Sequence, residues 1–214
     1  MIYFFAFLVL LISAFCILSS KYNNPYSLFL VVGKKGSGKS TLLCKKALWY
    51  SKHGYNVISN VALTNIDYIY ITSPSDISLL DFGGKKNVLL LDEAGIWFDS
   101  RDFKSFPKEL LYFFKYQRKL HCICWLFSQS LDVDKKIRDL CDRLLLTRCI
   151  GGWLCVAHWI DRTITFTKAS DFAGSTIADE LKPAFPLFPS SWIFTFSPGL
   201  SKYFDTNDIS IRKD

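Results

Sequence analysis

Residues 33–40 read Gly-Lys-Lys-Gly-Ser-Gly-Lys-Ser, with Thr41 next, between an apolar run at 27–32 (SLFLVV) and a segment of helical composition at 41–52. This is the G-x-x-x-x-G-K-[ST] pattern in its required setting, a strand before it and a helix after it. Glycines at 33, 36 and 38 let consecutive backbone N–H groups turn inward and cradle phosphate oxygens, where side chains would block the approach. The start of the following helix adds roughly half a positive charge directed at the same anion. The loop Gly33, Lys34, Lys35, Gly36, Ser37, Gly38, Lys39, Ser40 and Thr41 is therefore the candidate binding element for a nucleoside triphosphate. Lys39 would bridge the β- and γ-phosphates, and the Ser40 hydroxyl would coordinate Mg²⁺.

An acid is needed to complete such a site, and residues 88–93 (VLLLDE) supply an apolar strand ending in two carboxylates. Asp92 would hold Mg²⁺ through its water shell, because that ion keeps several waters. Glu93 would orient and deprotonate an attacking water. A third apolar run, 122–127 (CICWLF), leads into Ser128-Gln129-Ser130. A neutral Gln at the carboxyl edge of the same sheet can report the γ-phosphate or position water.

The chain alternates such runs with helical segments, which is the pattern of a parallel α/β sheet. Strands are expected at 27–32, 55–59, 67–71, 87–91, 122–127, 144–149, 153–160 and 163–167, and helices at 41–52, 107–119 and 134–141. The fold class expected is α/β: a P-loop NTPase domain with a central, mostly parallel sheet flanked by helices, preceded by an N-terminal transmembrane helix. Its expected limits are an anchor at 1–20, a linker at 21–26 (KYNNPY), the ATPase domain at 27–170 and an extension at 171–214. Residues 183–200 hold four prolines and five aromatics. Proline at that density excludes a second spanning helix, so an extended segment is expected, packed on the domain, a neighbour or a membrane interface.

Residues 1–20 (MIYFFAFLVLLISAFCILSS) contain no charged side chain and no proline. Twenty helical residues rise about 30 Å, the thickness of a hydrocarbon core. No Lys or Arg precedes the run and no clean small-x-small cleavage site follows it, which favours a retained anchor over a cleaved leader. Lys21, Lys34 and Lys35 follow the run, so the positive-inside rule places the remainder of the chain in the cytoplasm.

Twenty-six Lys and Arg against 19 Asp and Glu give a net charge of +7, compatible with nucleic acid, anionic lipid or an acidic substrate. Seven cysteines at 16, 44, 122, 124, 141, 149 and 155 show no metal-binding spacing, since Cys122 and Cys124 are expected to alternate across a strand. Reduced thiols are the plain reading. His53, His121 and His158 are scattered and read as structural. Hydrolysis in motor ATPases usually calls for an arginine from a neighbouring subunit. Arg138 and Arg143 are the candidates, with Arg118 behind them, and a finger supplied in trans implies a homo-oligomer.

Taken together, GKKGSGKST, VLLLDEAGIWFDSRDF, FFKYQRKLHCICWLFSQS and DVDKKIRDLCDRLLL resemble the zonular occludens toxin-like ATPases, which include filamentous-phage assembly proteins of the inner membrane, near the FtsK–HerA branch of P-loop motors. The resemblance spans about residues 27–150 and takes in Arg101, Gln117, Arg118, Gln129, Arg138 and Arg143. It implies a membrane-anchored ATPase using ATP and Mg²⁺ to drive virion assembly and export of single-stranded phage DNA, with coat or other assembly proteins as partners, in the host inner membrane. Viral genome-packaging ATPases share these blocks and stand as the alternative. A scaffold in which nucleotide only switches assembly contacts is the alternative of another class. A small-molecule kinase fits less well, as no lid-like arginine cluster is evident.

Overall fold

The computed structural model describes residues 2–22, 24–98, 108–131, 133–167, 176–183 and 192–203. Arg101, the middle of the proline-rich segment and the tail from 204 onward lie outside the described residues.

The apolar runs form strands in register. β1 (Leu28–Val32), β2 (Asn56–Ser59), β3 (Tyr68–Tyr70), β4 (Asn87–Leu91), β5 (Cys122–Ser128) and β6 (Arg143–Ile150) run mutually parallel. β7 (Leu154–Thr167) turns back antiparallel on β6, and both β8 (Thr176–Pro183) and β9 (Trp192–Phe196) pair antiparallel with β7. The order across the sheet is β3-β2-β4-β5-β1-β6-β7-β8, with β9 also on β7. β5 therefore lies between β1 and β4, and the carboxyl ends of these three parallel strands open on one edge.

The continuous apolar runs are explained by two cores, one on each face. Leu28, Leu30, Leu89, Leu91, Cys124 and Leu126 face one core, closed by Ile77 of α3 (Pro74–Leu79), Leu110, Phe113 and Phe114 of α5 (Lys108–Tyr116), and Ile137 of α6 (Lys135–Leu140). Phe29, Val31, Val88, Leu90, Trp125 and Phe127 face the other, closed by Leu42, Leu43, Ala47 and Tyr50 of α2 (Lys39–Lys52). Each fully buried Leu contributes roughly 1.5–3 kcal/mol by leaving water. This two-sided burial is what holds the carboxyl edge rigid.

Several expectations change. Residues 171–214, expected outside the domain, contribute β8 and β9 to the same sheet. Pro198 lies just beyond β9, whose Thr195 is buried while Phe194 and Phe196 on the other face are exposed. The strands expected at 153–160 and 163–167 are one continuous strand. Helices α3 and α4 (Ala94–Trp97) are additions to the expected set; each spans six residues or fewer, too short to carry a periodicity. Cys122 and Cys124 do not alternate. Residues two apart on a strand share a face, and their Sγ atoms lie 4.0 Å apart in the first core.

α1 (Ile2–Tyr22) is a single 21-residue helix whose apolar side chains point outward, with Phe4 69% and Phe15 70% exposed. Among the described residues no helix is long and apolar enough to cross a membrane. The spanning helix expected over residues 1–20 is thus not shown.

Candidate functional site

Val32 ends β1, and the chain turns through 33–38 into α2, with Gly38 as its N-cap at φ 85°. That left-handed geometry is open to glycine and strains any residue that carries a Cβ. The loop rests on the β6–β7 arm. A Cβ at Gly33 would lie 2.1 Å from Thr147 Oγ1, and one at Gly38 would lie 2.7 Å from Cys155 Cβ. The Ser37 and Thr147 hydroxyls share a hydrogen bond of 2.9 Å, and Cys155 Sγ donates to Ser37 O at 3.6 Å. Burial pushes the Cys155 thiol up to about 11, and its side chain packs under Gly38.

Lys39 is 6% exposed and donates from Nζ to Gly33 O at 2.8 Å and to Lys34 O at 3.4 Å. Its ammonium is thus held inside the curl of the loop. Lys34, Lys35 and Gly36 form the exposed outer turn, while Ser40 and Thr41 occupy the first turn of α2, half-buried.

Across the edge, β4 ends at Leu91 and delivers Asp92 and Glu93. Ser40 Oγ donates to Asp92 Oδ2 at 3.3 Å, joining residues 52 apart in the chain. Asp92 Oδ1 accepts from the Glu93 amide at 3.0 Å. Burial, and next the neighbouring Glu93 charge, raise the Asp92 carboxyl above its usual range; the Glu93 N–H, Lys39 and Ser40 act in the opposite direction. Glu93 adopts φ 50°, a left-handed conformation unusual outside glycine. Its Oε1 accepts from Gln129 Nε2 at 2.7 Å. The intervening strand closes the arrangement from below: Ser128 O accepts from Gly33 N at 3.2 Å. The loop, the acid pair and Gln129 are therefore brought to one edge.

A hydroxyl and a carboxylate at this spacing are hard oxygen donors, the type Mg²⁺ takes while keeping most of its waters. Asp92, buried beside a second acid, gains from a cation there. Among the described residues no cluster of three or more His, Cys, Asp or Glu could hold a metal on protein ligands alone. The residues fit an ion shared with a phosphate.

The arginines fall elsewhere. Arg143 begins β6 opposite Phe29, four residues and about 13 Å before Gly33 along β1. Its guanidinium lies 4.0 Å from the Trp159 ring centroid and 5.8 Å from that of Phe29. Arg143 is a stacked cation at the far end of β1 from its own phosphate loop, so a finger role for it would be exercised only on a neighbouring copy. Arg138 Nη1 donates to Leu131 O at 2.7 Å, beside the loop that leaves β5. Arg118 pairs with Asp142, whose other oxygen accepts from Leu28 N at 2.8 Å, and Gln117 Nε2 reaches Tyr26 O. The Gln117–Arg118 and Asp142–Arg143 blocks thus fasten the entry of β1 rather than the site.

Asn60 is a site residue that sequence reasoning does not find. It follows β2 and binds both main-chain groups of Asp92. Its one signal in the sequence is its place at the end of a short strand that pairs with β4.

No family model matches the chain and no curated protein matches it. Among solved structures, the N-terminal domain of zonular occludens toxin from Neisseria meningitidis superposes with a TM-score of 0.53 at 13% identity, covering 84% of this chain and 99% of that one. The genome packaging NTPase B204 of Sulfolobus turreted icosahedral virus 2, in complex with AMPPCP, gives 0.50 at 13% identity over 64% of this chain and 94% of that one. B204 described as the DNA-packaging ATPase from Sulfolobus turreted icosahedral virus gives 0.50 at 14% identity over the same shares. At these identities the likeness is one of fold. This chain shares its fold with the N-terminal domain of zonular occludens toxin and with B204.

Proposed function

We propose that the chain is an ATP-hydrolysing motor of virion assembly, held by α1 in the host inner membrane with its ATPase domain on the cytoplasmic side. The observation that carries the chemistry is the meeting of Ser40 with Asp92 beside a Glu93 oriented by Gln129. Loop amides and Lys39 bind the triphosphate. Ser40 and Asp92 would hold Mg²⁺, which would neutralise charge on the phosphate oxygens. Water attacks the γ-phosphorus in line and its proton passes to Glu93, while the bond to the bridging oxygen breaks and ADP leaves. Gln129 keeps the Glu93 carboxylate aimed at that water. An arginine from an adjoining copy, with Arg138 the better placed candidate, offsets charge developing on the γ-phosphate and makes the active form a homo-oligomer.

Twenty uncharged residues, outward-facing side chains on α1 and the lysines that follow support the anchor. The likeness to the toxin-domain fold, with the sequence blocks, supports export of single-stranded phage DNA alongside coat or other assembly proteins. The likeness to B204 favours a second reading, genome packaging, which shares this chemistry and differs in the direction of DNA movement.

The test is Glu93→Gln in the full-length chain. ATP binding stays at the wild-type level while hydrolysis falls by about 10²-fold or more, the share of a general base. Equal and negligible turnover in both proteins would instead support a nucleotide-switched scaffold.

A further inference from the structure

β2 pairs with β4 so that Ser59 stands opposite Leu90, which places Asn60 level with Leu91 and diagonal to Asp92. From there its carboxamide makes two hydrogen bonds to one residue. Oδ1 accepts from the Asp92 amide at 2.8 Å, and Nδ2 donates to the Asp92 carbonyl at 2.9 Å. β4 has run out at this point, so strand pairing no longer fixes the main chain. The next residue, Glu93, holds φ 50°, and its carboxylate meets Gln129. A two-point clamp on Asp92 fixes the direction in which the chain leaves the sheet.

We propose that Asn60 is the positioning residue of the acid pair: by fixing the Asp92 main chain it sets where the Asp92 and Glu93 carboxylates point. The inference rests on the function proposed above, because it assigns those carboxylates to metal and water. Asn60 touches neither and acts only through Asp92. Two properties of the residue type matter. Asn offers an acceptor and a donor side by side at the spacing of a peptide's N–H and C=O, and it adds no charge beside two acids. Asp retains the shape but turns the donor into a second acceptor facing the Asp92 carbonyl. Ala removes both contacts.

The experiment compares Asn60→Ala and Asn60→Asp with the wild-type full-length chain in detergent micelles. ATP affinity measured in EDTA is expected to be unchanged, because the phosphate loop is untouched. With Mg²⁺, kcat is expected to fall ~10–100-fold and the Mg²⁺ concentration for half-activation to rise, as when groups that orient metal ligands are removed. Hydrogen exchange supplies a readout independent of turnover: in Asn60→Ala the Asp92 amide loses protection while those of Leu89 and Leu90 keep theirs. Asn60→Asp keeps the acceptor for that amide and loses only the donor, so should Asn60→Ala fail to fold, kcat and Mg²⁺ half-activation in Asn60→Asp carry the test. Wild-type kcat in the variants, or an Asp92 amide that stays protected in Asn60→Ala, overturns the inference. If wild-type protein itself does not turn ATP over, the proposed function fails, and amide exchange alone decides on the clamp.

Discussion

Gln129 donates its carboxamide N–H to the Glu93 carboxylate at 2.7 Å, across the gap between the carboxyl ends of β5 and β4. Ser128, the residue before Gln129, binds the first amide of the phosphate loop. One turn after β5 thus touches both halves of the site, and any shift of that turn moves the base relative to the phosphates. Gln129→Ala is expected to leave ATP affinity intact and lower kcat by ~10²-fold, the lower end of what an aimed general base contributes. Steady-state kinetics with a separate binding isotherm checks this. A raised KM with unchanged kcat would assign Gln129 to binding instead.

Gly38 has neither the space nor the dihedral for a side chain. Its φ is 85°, and a methyl group there would sit 2.7 Å from Cys155 Cβ, so Gly38→Ala strains the loop twice. Thermal unfolding should show a loss of about 1–3 kcal/mol, and nucleotide binding should disappear. Normal binding by this variant would mean that the loop does not need the Gly38 conformation.

Asp92 gives a pH signature. Burial and the Glu93 charge raise its carboxyl in the folded chain. A raised acid favours the folded state while it is protonated, below its unfolded value of about 3.9, and that contribution is lost as pH rises through the folded value. Once ionised, Asp92 therefore costs stability until a cation arrives. In EDTA at about pH 8, well above the unfolded value, Asp92→Asn should melt at or above wild type, with the gap closing as pH falls into the raised range. Mg²⁺ with nucleotide should stabilise wild type more than the variant. A melting point below wild type in that buffer that ignores pH would contradict this assignment.

Arg143 is a stacked cation against Trp159. Arg143→Ala should cost about 1 kcal/mol of stability and leave kcat near wild type. Arg138→Ala should lower turnover in the assembled protein. Loss of kcat in the Arg143 variant at full fold would assign the finger to that residue instead.

How far the sequence reached follows from what each residue type can signal alone. The loop at 33–40 is legible because several demands coincide on one short pattern: glycines where side chains clash, a lysine and a hydroxyl. Apolar runs at 87–91 and 122–127 are legible because both faces are buried. Asn60 is not legible, since its role depends on β2 lying beside β4, a pairing of residues about thirty apart in the chain. Arg118 reads as a finger candidate in sequence, yet in the fold it pairs with Asp142, which with Gln117 fastens the start of β1. The prolines around β9 point to an extended segment, but its place in the sheet depends on β7, a partner that local sequence does not name.

The claim beneath all of this is that Ser40 and Asp92 hold one divalent ion against a phosphate cradled by residues 33–40. Mn²⁺ substituted for Mg²⁺ reports it directly through electron-spin-echo spectroscopy of the full-length chain with AMPPCP. The account predicts phosphorus hyperfine coupling on the bound Mn²⁺, weakened in both Ser40→Ala and Asp92→Asn. A spectrum of Mn²⁺ without phosphorus coupling, or one indifferent to both substitutions, would contradict it.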